Sequence, residues 1–265
     1  MAKKIVVNGA CGRMGREVVK TVVKESDDIL VGVCDHSNIG QNIMEILALD
    51  HEPMLIKKDL YEIIKETHPD VIIDFTTPSV VMENIRTGLE NSVSMIVGTT
   101  GITDVDLKSI EEMCEENRVN ALIVPNFAIG AILMMRFAAE AAKYLNDVEI
   151  IELHHDQKVD SPSGTAIKTA DLINKNRKVV KEKNIDEIEK ILGARGADAD
   201  GIKIHSVRLP GLVAHQEVIF GAEGQSLLIK HDSYNRKSFM PGVRLALKKI
   251  NEISGLVYGL EKLLD

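Results

Sequence analysis

Lys4-Ile-Val-Val-Asn8 runs directly into Gly9-Ala-Cys-Gly12-Arg-Met-Gly15, and Arg16-Glu-Val-Val-Lys-Thr-Val-Val-Lys24 follows without interruption. The first run is branched and apolar, as a buried strand requires, and the last repeats its valines at helical spacing. Strand, glycine turn and helix therefore come in the order of a dinucleotide-binding unit. The glycines are spaced G-x-x-G-x-x-G, a variant of G-x-G-x-x-G, and let the backbone approach a pyrophosphate at the helix start. Glycines alone also fit an ordinary tight turn. The next strand, Ile29-Leu-Val-Gly-Val-Cys34, separates the two readings because it ends on Asp35, 20 positions after Gly15 (35 − 15). An acid at that strand end accepts the ribose hydroxyls of NAD.

The alternation continues. Residues 62–66, 80–90 and 104–117 read as helical, and Val71-Ile-Ile-Asp74, Ser94-Met-Ile-Val97 and Ala121-Leu-Ile-Val124 as strands. That rhythm predicts an α/β fold of the Rossmann type, a doubly wound parallel sheet. Ligands bind such sheets beyond the carboxyl ends of the strands. The short runs there are Asp74-Phe-Thr-Thr-Pro78, Gly98-Thr-Thr-Gly101 and Val124-Pro-Asn-Phe127. Each alone fits a turn or a cap, but all three stand on the edge where a cofactor would lie.

After Phe127 the character changes to an apolar helix, Ile129-Gly-Ala-Ile-Leu-Met-Met-Arg-Phe-Ala-Ala-Glu-Ala-Ala-Lys143, followed by a strand ending in His154. There the chain reads Glu152-Leu-His-His-Asp-Gln-Lys-Val-Asp-Ser-Pro-Ser-Gly-Thr-Ala166. His154, His155 and Lys158 precede a helix over 165–174 with Ser163 as its N-cap, and a helix start favours a carboxylate or phosphate. The segment predicts an anion trap with its own proton donors. Zinc is the rival reading. Adjacent histidines on a strand point to opposite faces, so His154 and His155 do not share a metal without distortion, and none is assigned. Residues 185–192 read as helical, 193–201 as a glycine-rich loop, and three extended runs follow over 202–208, 214–220 and 225–231. With the strand before His154 they predict a second sheet with a helical cover, and oligomer contacts through its bare face. His205, His215 and His231 inside these runs read as structural. The run from Pro241 to Asn251 reads as a last helix, without a sign of which domain it joins.

Composition narrows the class. Lysine plus arginine at 32 against aspartate plus glutamate at 40 gives a formal charge of −8, which argues against a nucleic-acid surface. No apolar stretch is long enough for a membrane anchor or a signal peptide, so a cytoplasmic protein is expected. Cys11, Cys34 and Cys114 are too scattered for a disulfide framework. Cys11, in the phosphate loop, reads as a packing residue in preference to a redox sensor.

Taken with Val7-Asn-Gly-Ala-Cys-Gly-Arg-Met-Gly15, Asp74-Phe-Thr76, Gly98-Thr-Thr-Gly101 and Pro125-Asn-Phe127, the 152–166 run makes the chain resemble the 4-hydroxy-tetrahydrodipicolinate reductase (dihydrodipicolinate reductase) family from end to end. The resemblance implies nicotinamide-dependent reduction of a small cyclic dicarboxylate, with loss of water, in lysine and diaminopimelate synthesis. It implies His154 and Lys158 as catalytic residues, and His155, Ser163, Gly164, Thr165 and Thr100 as substrate-binding residues. Gly9, Ala10, Cys11, Gly12, Arg13, Met14, Asp35, His36, Gly98, Thr99, Thr100, Val124, Pro125, Asn126 and Phe127 would line the cofactor. It also implies that the C-terminal segment returns to the nucleotide domain, giving a dinucleotide-binding domain of 1–125 with 236–265 and an α+β substrate and oligomerisation domain of 126–235 with a mixed sheet. A homotetramer joined through that sheet is implied.

The chain departs from the family pattern at the cofactor. His36 stands where several members carry an arginine that grips a 2′-phosphate, and Asp35 repels phosphate. NADH is the expected cofactor, with some use of NADPH. Two rivals remain open: an aspartate- or homoserine-type dehydrogenase, which leaves the Pro-Ser-Gly-Thr helix start unexplained, and a non-catalytic NAD sensor.

Overall fold

A computed structural model describes residues 2–178 and 188–264. The chain forms two compact units, Met1–Ile129 with Phe239–Asp265, and Gly130–Ser238. Both boundaries fall a few residues later than 125/126 and 235/236. At the first, Phe127 is buried and its carbonyl lies where a Cβ on Gly242 would come within 2.0 Å, which ties it to the first unit.

The elements run β1 (Lys4–Asn8), α1 (Arg13–Glu25), β2 (Ile29–Cys34), a short α2 (Ile43–Ile46), β3 (Ile56–Lys57), α3 (Leu60–Thr67), β4 (Val71–Asp74), α4 (Val81–Glu90), β5 (Ser94–Val97), α5 (Asp104–Asn117) and β6 (Ala121–Ile123). The second unit follows with α6 (Ile129–Ala141), β7 (Asp147–His154), α7 (Gly164–Asn176), β8 (Ala197–Ala199), β9 (Ile202–Arg208), β10 (Ala214–Ala222) and β11 (Gln225–Ser233). The chain then returns to the first unit as α8 (Met240–Lys249) and β12 (Leu256–Tyr258).

The first unit is a seven-stranded Rossmann-like sheet in the order β12-β6-β5-β4-β1-β2-β3, parallel at every pairing. A parallel sheet covered on both faces needs near-continuous apolar strands. Ile5, Val6, Val7, Ile72, Ile73, Met95 and Ile96 supply them and are wholly buried. Each side chain of this kind contributes about 1.5–3 kcal/mol on burial. From β1 the chain steps outward to β2 and β3, whereas β4, β5 and β6 lie on the other side, so the winding reverses between β1 and β4. Asn8 and Asp74 are register partners at the carboxyl ends of those two strands. The returning segment is stitched in by Asn120, whose Nδ2 donates to Ile250 O at 3.0 Å and whose Oδ1 accepts from Gly255 N at 3.0 Å.

The second unit is a five-stranded mixed sheet in the order β11-β10-β7-β9-β8, with β7 and β9 parallel and the other pairs antiparallel. Val148, Ile150 and Glu152 of β7 alternate inward with Val218 and Phe220 of β10, and α7 buries Ala166, Ala170 and Ile173. Gln216 Nε2 donates to Thr169 Oγ1 at 2.8 Å and pins this helix to the sheet. The glycine-rich run 193–201 is not all loop, because Ala197–Ala199 forms the edge strand β8. Residues 185–187 of the expected helix lie outside the described residues, and 188–192 are not helical. Among the described residues, no helix is long and apolar enough to cross a membrane.

Candidate active site

In the first unit a cavity of about 1090 Å³ opens at the switch between β1 and β4. Gly9, Cys11, Gly12, Asp35 and His36 line it, together with Asn8, Ser37, Lys58, Phe75, Thr76 and Asn84. The glycine turn is close-packed. Gly9 has φ +79° and a Cβ there would sit 2.4 Å from Phe75 O, while a Cβ on Gly15 would sit 2.0 Å from Gly9 O. Side chains cap α3 and α5, but the N-cap of α1 is Gly12, which offers none. The first-turn N–H groups of α1 are thus left to a ligand, which fits a pyrophosphate. Arg16 Nε braces the loop by donating to Cys11 O at 2.8 Å.

Asp35 is buried and turned toward this loop. Oδ2 accepts from Cys11 N at 2.8 Å, and Oδ1 accepts from Ser37 N at 2.9 Å and from Ser37 Oγ at 2.7 Å. A carboxylate has about four lone-pair sites, so room remains for a ribose hydroxyl. The His36 side chain is 91% exposed, with Nδ1 3.3 Å from Asp35. Cys11 is partly exposed, and its thiol reaches Ser37 O at 3.6 Å.

Asp74 organises the rest of the rim. It has no solvent exposure and accepts five hydrogen bonds. Oδ1 takes Thr76 N at 3.1 Å, Thr76 Oγ1 at 2.8 Å and Thr99 Oγ1 at 2.8 Å, while Oδ2 takes Asn8 Nδ2 and Asn84 Nδ2, both at 2.9 Å. One carboxylate therefore joins the ends of β1, β4 and β5 to α4. Gly98 is needed because the Phe75 ring lies where its Cβ would be, 2.2 Å away. Phe75 in turn packs on Phe127 with ring centroids 5.3 Å apart. Val124 is held by its N–H to Val97 O at 2.8 Å, and Asn126 Oδ1 accepts from Ala128 N at 2.8 Å. Ala10 is buried behind the turn, whereas Arg13, Thr100 and Pro125 are exposed.

The second unit gathers His154, Lys158 and the start of α7 around Glu152, which is also without solvent exposure. Two residues apart on β7, Glu152 and His154 share a face, and parallel register sets Arg208 of β9 opposite His154. Arg208 Nη1 and Nη2 grip Glu152 at 2.9 and 2.8 Å. His154 Nδ1 lies 2.5 Å from Glu152 Oε2, and Ser163 N donates to Oε1 at 3.3 Å. Burial would push the Glu152 carboxyl up, but hydrogen bonds from Arg208, Ser206 and His154 outweigh it and hold it below its ordinary range. Burial pushes the His154 imidazole down, against the pull of Glu152 and with help from Lys158 and Arg208. Glu152 is then a carboxylate, which only accepts, so His154 donates Nδ1–H and keeps a lone pair on Nε2.

His155 O accepts from Lys158 N at 3.2 Å, closing the turn that brings Lys158 back, and Lys158 Nζ rests on Asp160 Oδ1 at 2.6 Å. Ser163 caps α7, its Oγ accepting from Ala166 N at 3.2 Å. A Cβ on Gly164 would meet nothing within 4 Å, so packing does not demand this glycine, and it leaves open space at the helix start. Arg208, Glu152 and Asp74 were not singled out as site residues. The pairing of Glu152 with Arg208 spans 56 residues and depends on strand register. Only the alternation Glu152, His154 gave a local sign of it. His205 and His215 each pair with a carboxylate, Glu149 and Asp232. Among the described residues, no group of three His, Cys, Asp or Glu side chains is placed to hold a metal.

Comparison with known proteins follows the same outline. The family model for the N-terminus of dihydrodipicolinate reductase matches residues 3–127, and that for its C-terminus matches 130–264. A 4-hydroxy-tetrahydrodipicolinate reductase from Listeria welshimeri is 55% identical over 262 residues, spanning 99% of this chain and 100% of the relative. One from Bacillus subtilis is 50% identical over 262 residues, spanning 99% and 98%. A dipicolinate-bound dihydrodipicolinate reductase from Paenisporosarcina sp. TG-14 superposes with a TM-score of 0.88 at 47% identity over 100% of both chains. An amine dehydrogenase from Mycobacterium smegmatis, with a TM-score of 0.69 at 13% identity over 98% and 96%, shares the fold alone.

Asp74→Ala tests the rim. It strands buried donors on Asn8 and Thr99, at a cost of about 1–3 kcal/mol each. The expected outcome is NADH affinity weakened by about tenfold or more in a fluorescence titration. Unchanged affinity would confine the Asp74 network to the fold.

Proposed function

The chain belongs to the dihydrodipicolinate reductase family, and from that premise we propose how its residues divide the reaction. It reduces 4-hydroxy-tetrahydrodipicolinate to tetrahydrodipicolinate with loss of water, using a nicotinamide cofactor, in lysine and diaminopimelate synthesis. The observation that carries our division of roles is His154 Nδ1 turned to the buried Glu152, with Lys158 nearby.

In this reading the first unit holds the cofactor. Gly9, Ala10, Cys11, Gly12, Arg13 and Met14 receive the pyrophosphate at the start of α1, and Asp35 and His36 receive the adenosine ribose. Gly98, Thr99, Thr100 and Val124, Pro125, Asn126 and Phe127 line the remainder. The substrate is a small dicarboxylate, and in the second unit His155, Ser163, Gly164 and Thr165 hold it. The α7 start suits one carboxylate, since its N–H groups and the space beside Gly164 meet an anion.

A reduced nicotinamide held in the first unit would supply a hydride. Around that transfer the residues move protons. Loss of the 4-hydroxyl as water takes a proton from the neighbouring ring carbon, and the Nε2 lone pair of neutral His154 accepts it and passes it to the departing hydroxyl. Hydride arriving at the carbon that lost the hydroxyl pushes charge through the conjugated system onto the ring nitrogen. Lys158 stabilises that charge and returns a proton. Asp160 holds the Lys158 ammonium ready for this role.

NADH is the preferred cofactor in this reading, with NADPH usable. Asp35 keeps a buried negative charge beside the ribose, and the exposed His36 is a weaker phosphate partner than arginine. Lys58 on the same cavity offers a cation that permits some NADPH use. A cytoplasmic homotetramer is proposed, joined through the face of the second sheet opposite α7. Support comes from Leu228, 54% exposed, and from Ile151 and Ile219, half-buried on that face.

Lys158→Ala should lower kcat by about 10²–10⁴, with NADH affinity changed less than about twofold. Equal loss of both would count against Lys158 as proton donor. For the cofactor, kcat/KM should be higher with NADH than with NADPH, and a strong NADPH preference would contradict the reading of Asp35 and His36.

A further inference from the structure

We propose that Glu152 and Arg208 are the positioning residues of the proton-transfer site, one buried ion pair that sets the His154 tautomer, the α7 start and the Lys158 turn together. The inference rests on the reading of His154 and Lys158 given above. Glu152 spends its oxygens on three separate elements: His154 Nδ1 on its own strand, Ser163 N at the cap of α7, and both terminal nitrogens of Arg208 on β9. Arg208 continues outward. Its Nη2 also donates to Asp160 O at 2.7 Å, and Asp160 is the residue against which Lys158 rests. His154, Ser163 and Lys158 are therefore each within two hydrogen bonds of the pair.

A purely structural pair would be a poor reason for this arrangement. Burying two charges costs several kcal/mol per ion, and apolar residues of similar volume often serve stability as well or better. What an apolar pair lacks is an acceptor for Nδ1–H. With Glu152 accepting, the ring has one orientation and its lone pair lies on Nε2. A glutamine in its place can present an N–H to Nδ1, which selects the opposite tautomer, and a comparable Asp-to-Asn change in a serine protease triad costs about 10⁴ in kcat.

The charged groups that bear on His154 are Glu152 on β7, Lys158 in the turn and Arg208 on β9, with Asp160 behind Lys158; at the register of Glu152 the next strands carry the uncharged Gln216 on β10 and the titratable His231 on β11. Glu152 raises the His154 pKa while Lys158 and Arg208 lower it. Removing either member of the pair thus shifts the titration of His154 in opposite directions. Since neutral His154 is the active form, the acid limb of the kcat profile should move to lower pH in Glu152→Gln and to higher pH in Arg208→Gln.

The experiment measures kcat against pH, NADH affinity and melting temperature for Glu152→Gln, Arg208→Gln, the double variant Glu152→Gln/Arg208→Met and His154→Gln. The substrate is freshly made by the preceding synthase reaction. Each single variant should lose about 10²–10⁴ in kcat at unchanged NADH affinity, with the opposed limb shifts. The double variant, having no buried charge left, should regain much of the melting temperature but not the turnover. Turnover that returns with stability, or limbs that move together or not at all, would overturn the inference. If His154→Gln is inactive while both single variants keep full turnover, the pair's role falls and the reading of His154 stands. If His154→Gln keeps full turnover, that reading falls and takes the inference with it.

Discussion

The carboxylate of Glu152, closed off from water and gripped by Arg208, is the interaction on which the geometry around His154 and the start of α7 depends. A buried carboxylate is tolerable only when its lone pairs are met, and the groups that meet these belong to separate parts of the second unit. Strand β9 brings the guanidinium, α7 brings the Ser163 N–H, and β7 brings His154. The demand for donors thus becomes a demand for geometry. His154 can neither rotate nor exchange tautomers without leaving an oxygen of Glu152 short of a partner.

The first unit meets the same demand with different partners. Asp74 is equally buried, yet its five donors are two amide side chains, two hydroxyls and a backbone N–H, with no cation among them. Neutral donors order the rim while leaving the local charge negative. In the second unit burial holds His154 below its ordinary range against the pull of Glu152, and Lys158 and the Arg208 guanidinium add to the same side. The two buried carboxylates are thus one device, differing in whether a cation joins it.

Much of this was legible in local sequence, because the signals are local. The glycine turn between β1 and α1, the apolar strands of the parallel sheet and the Ser163 cap of α7 each depend on a few consecutive residues. The edge strands β3, β8 and β12 were not legible. Two or three residues carry no periodicity, and their pairing is decided by strands far along the chain. The return of the C-terminal segment came only from family resemblance. Gly242 shows why it packs as it does, since any side chain there would strike the carbonyl of Phe127. Asp35 was found at its strand end, but its turn toward Cys11 and Ser37 is a property of the folded loop. Arg208 was hidden most completely, because it meets Glu152 through the register of a parallel pair and no spacing rule reaches 56 residues.

The protonation state of His154 tests the role of the ion pair most directly. Imidazole ¹⁵N chemical shifts of the protein labelled at histidine, read near neutral pH without ligand, distinguish the two neutral tautomers from the imidazolium. A neutral ring with its proton on Nδ1 is the predicted result. A proton on Nε2, or a doubly protonated ring, would contradict it.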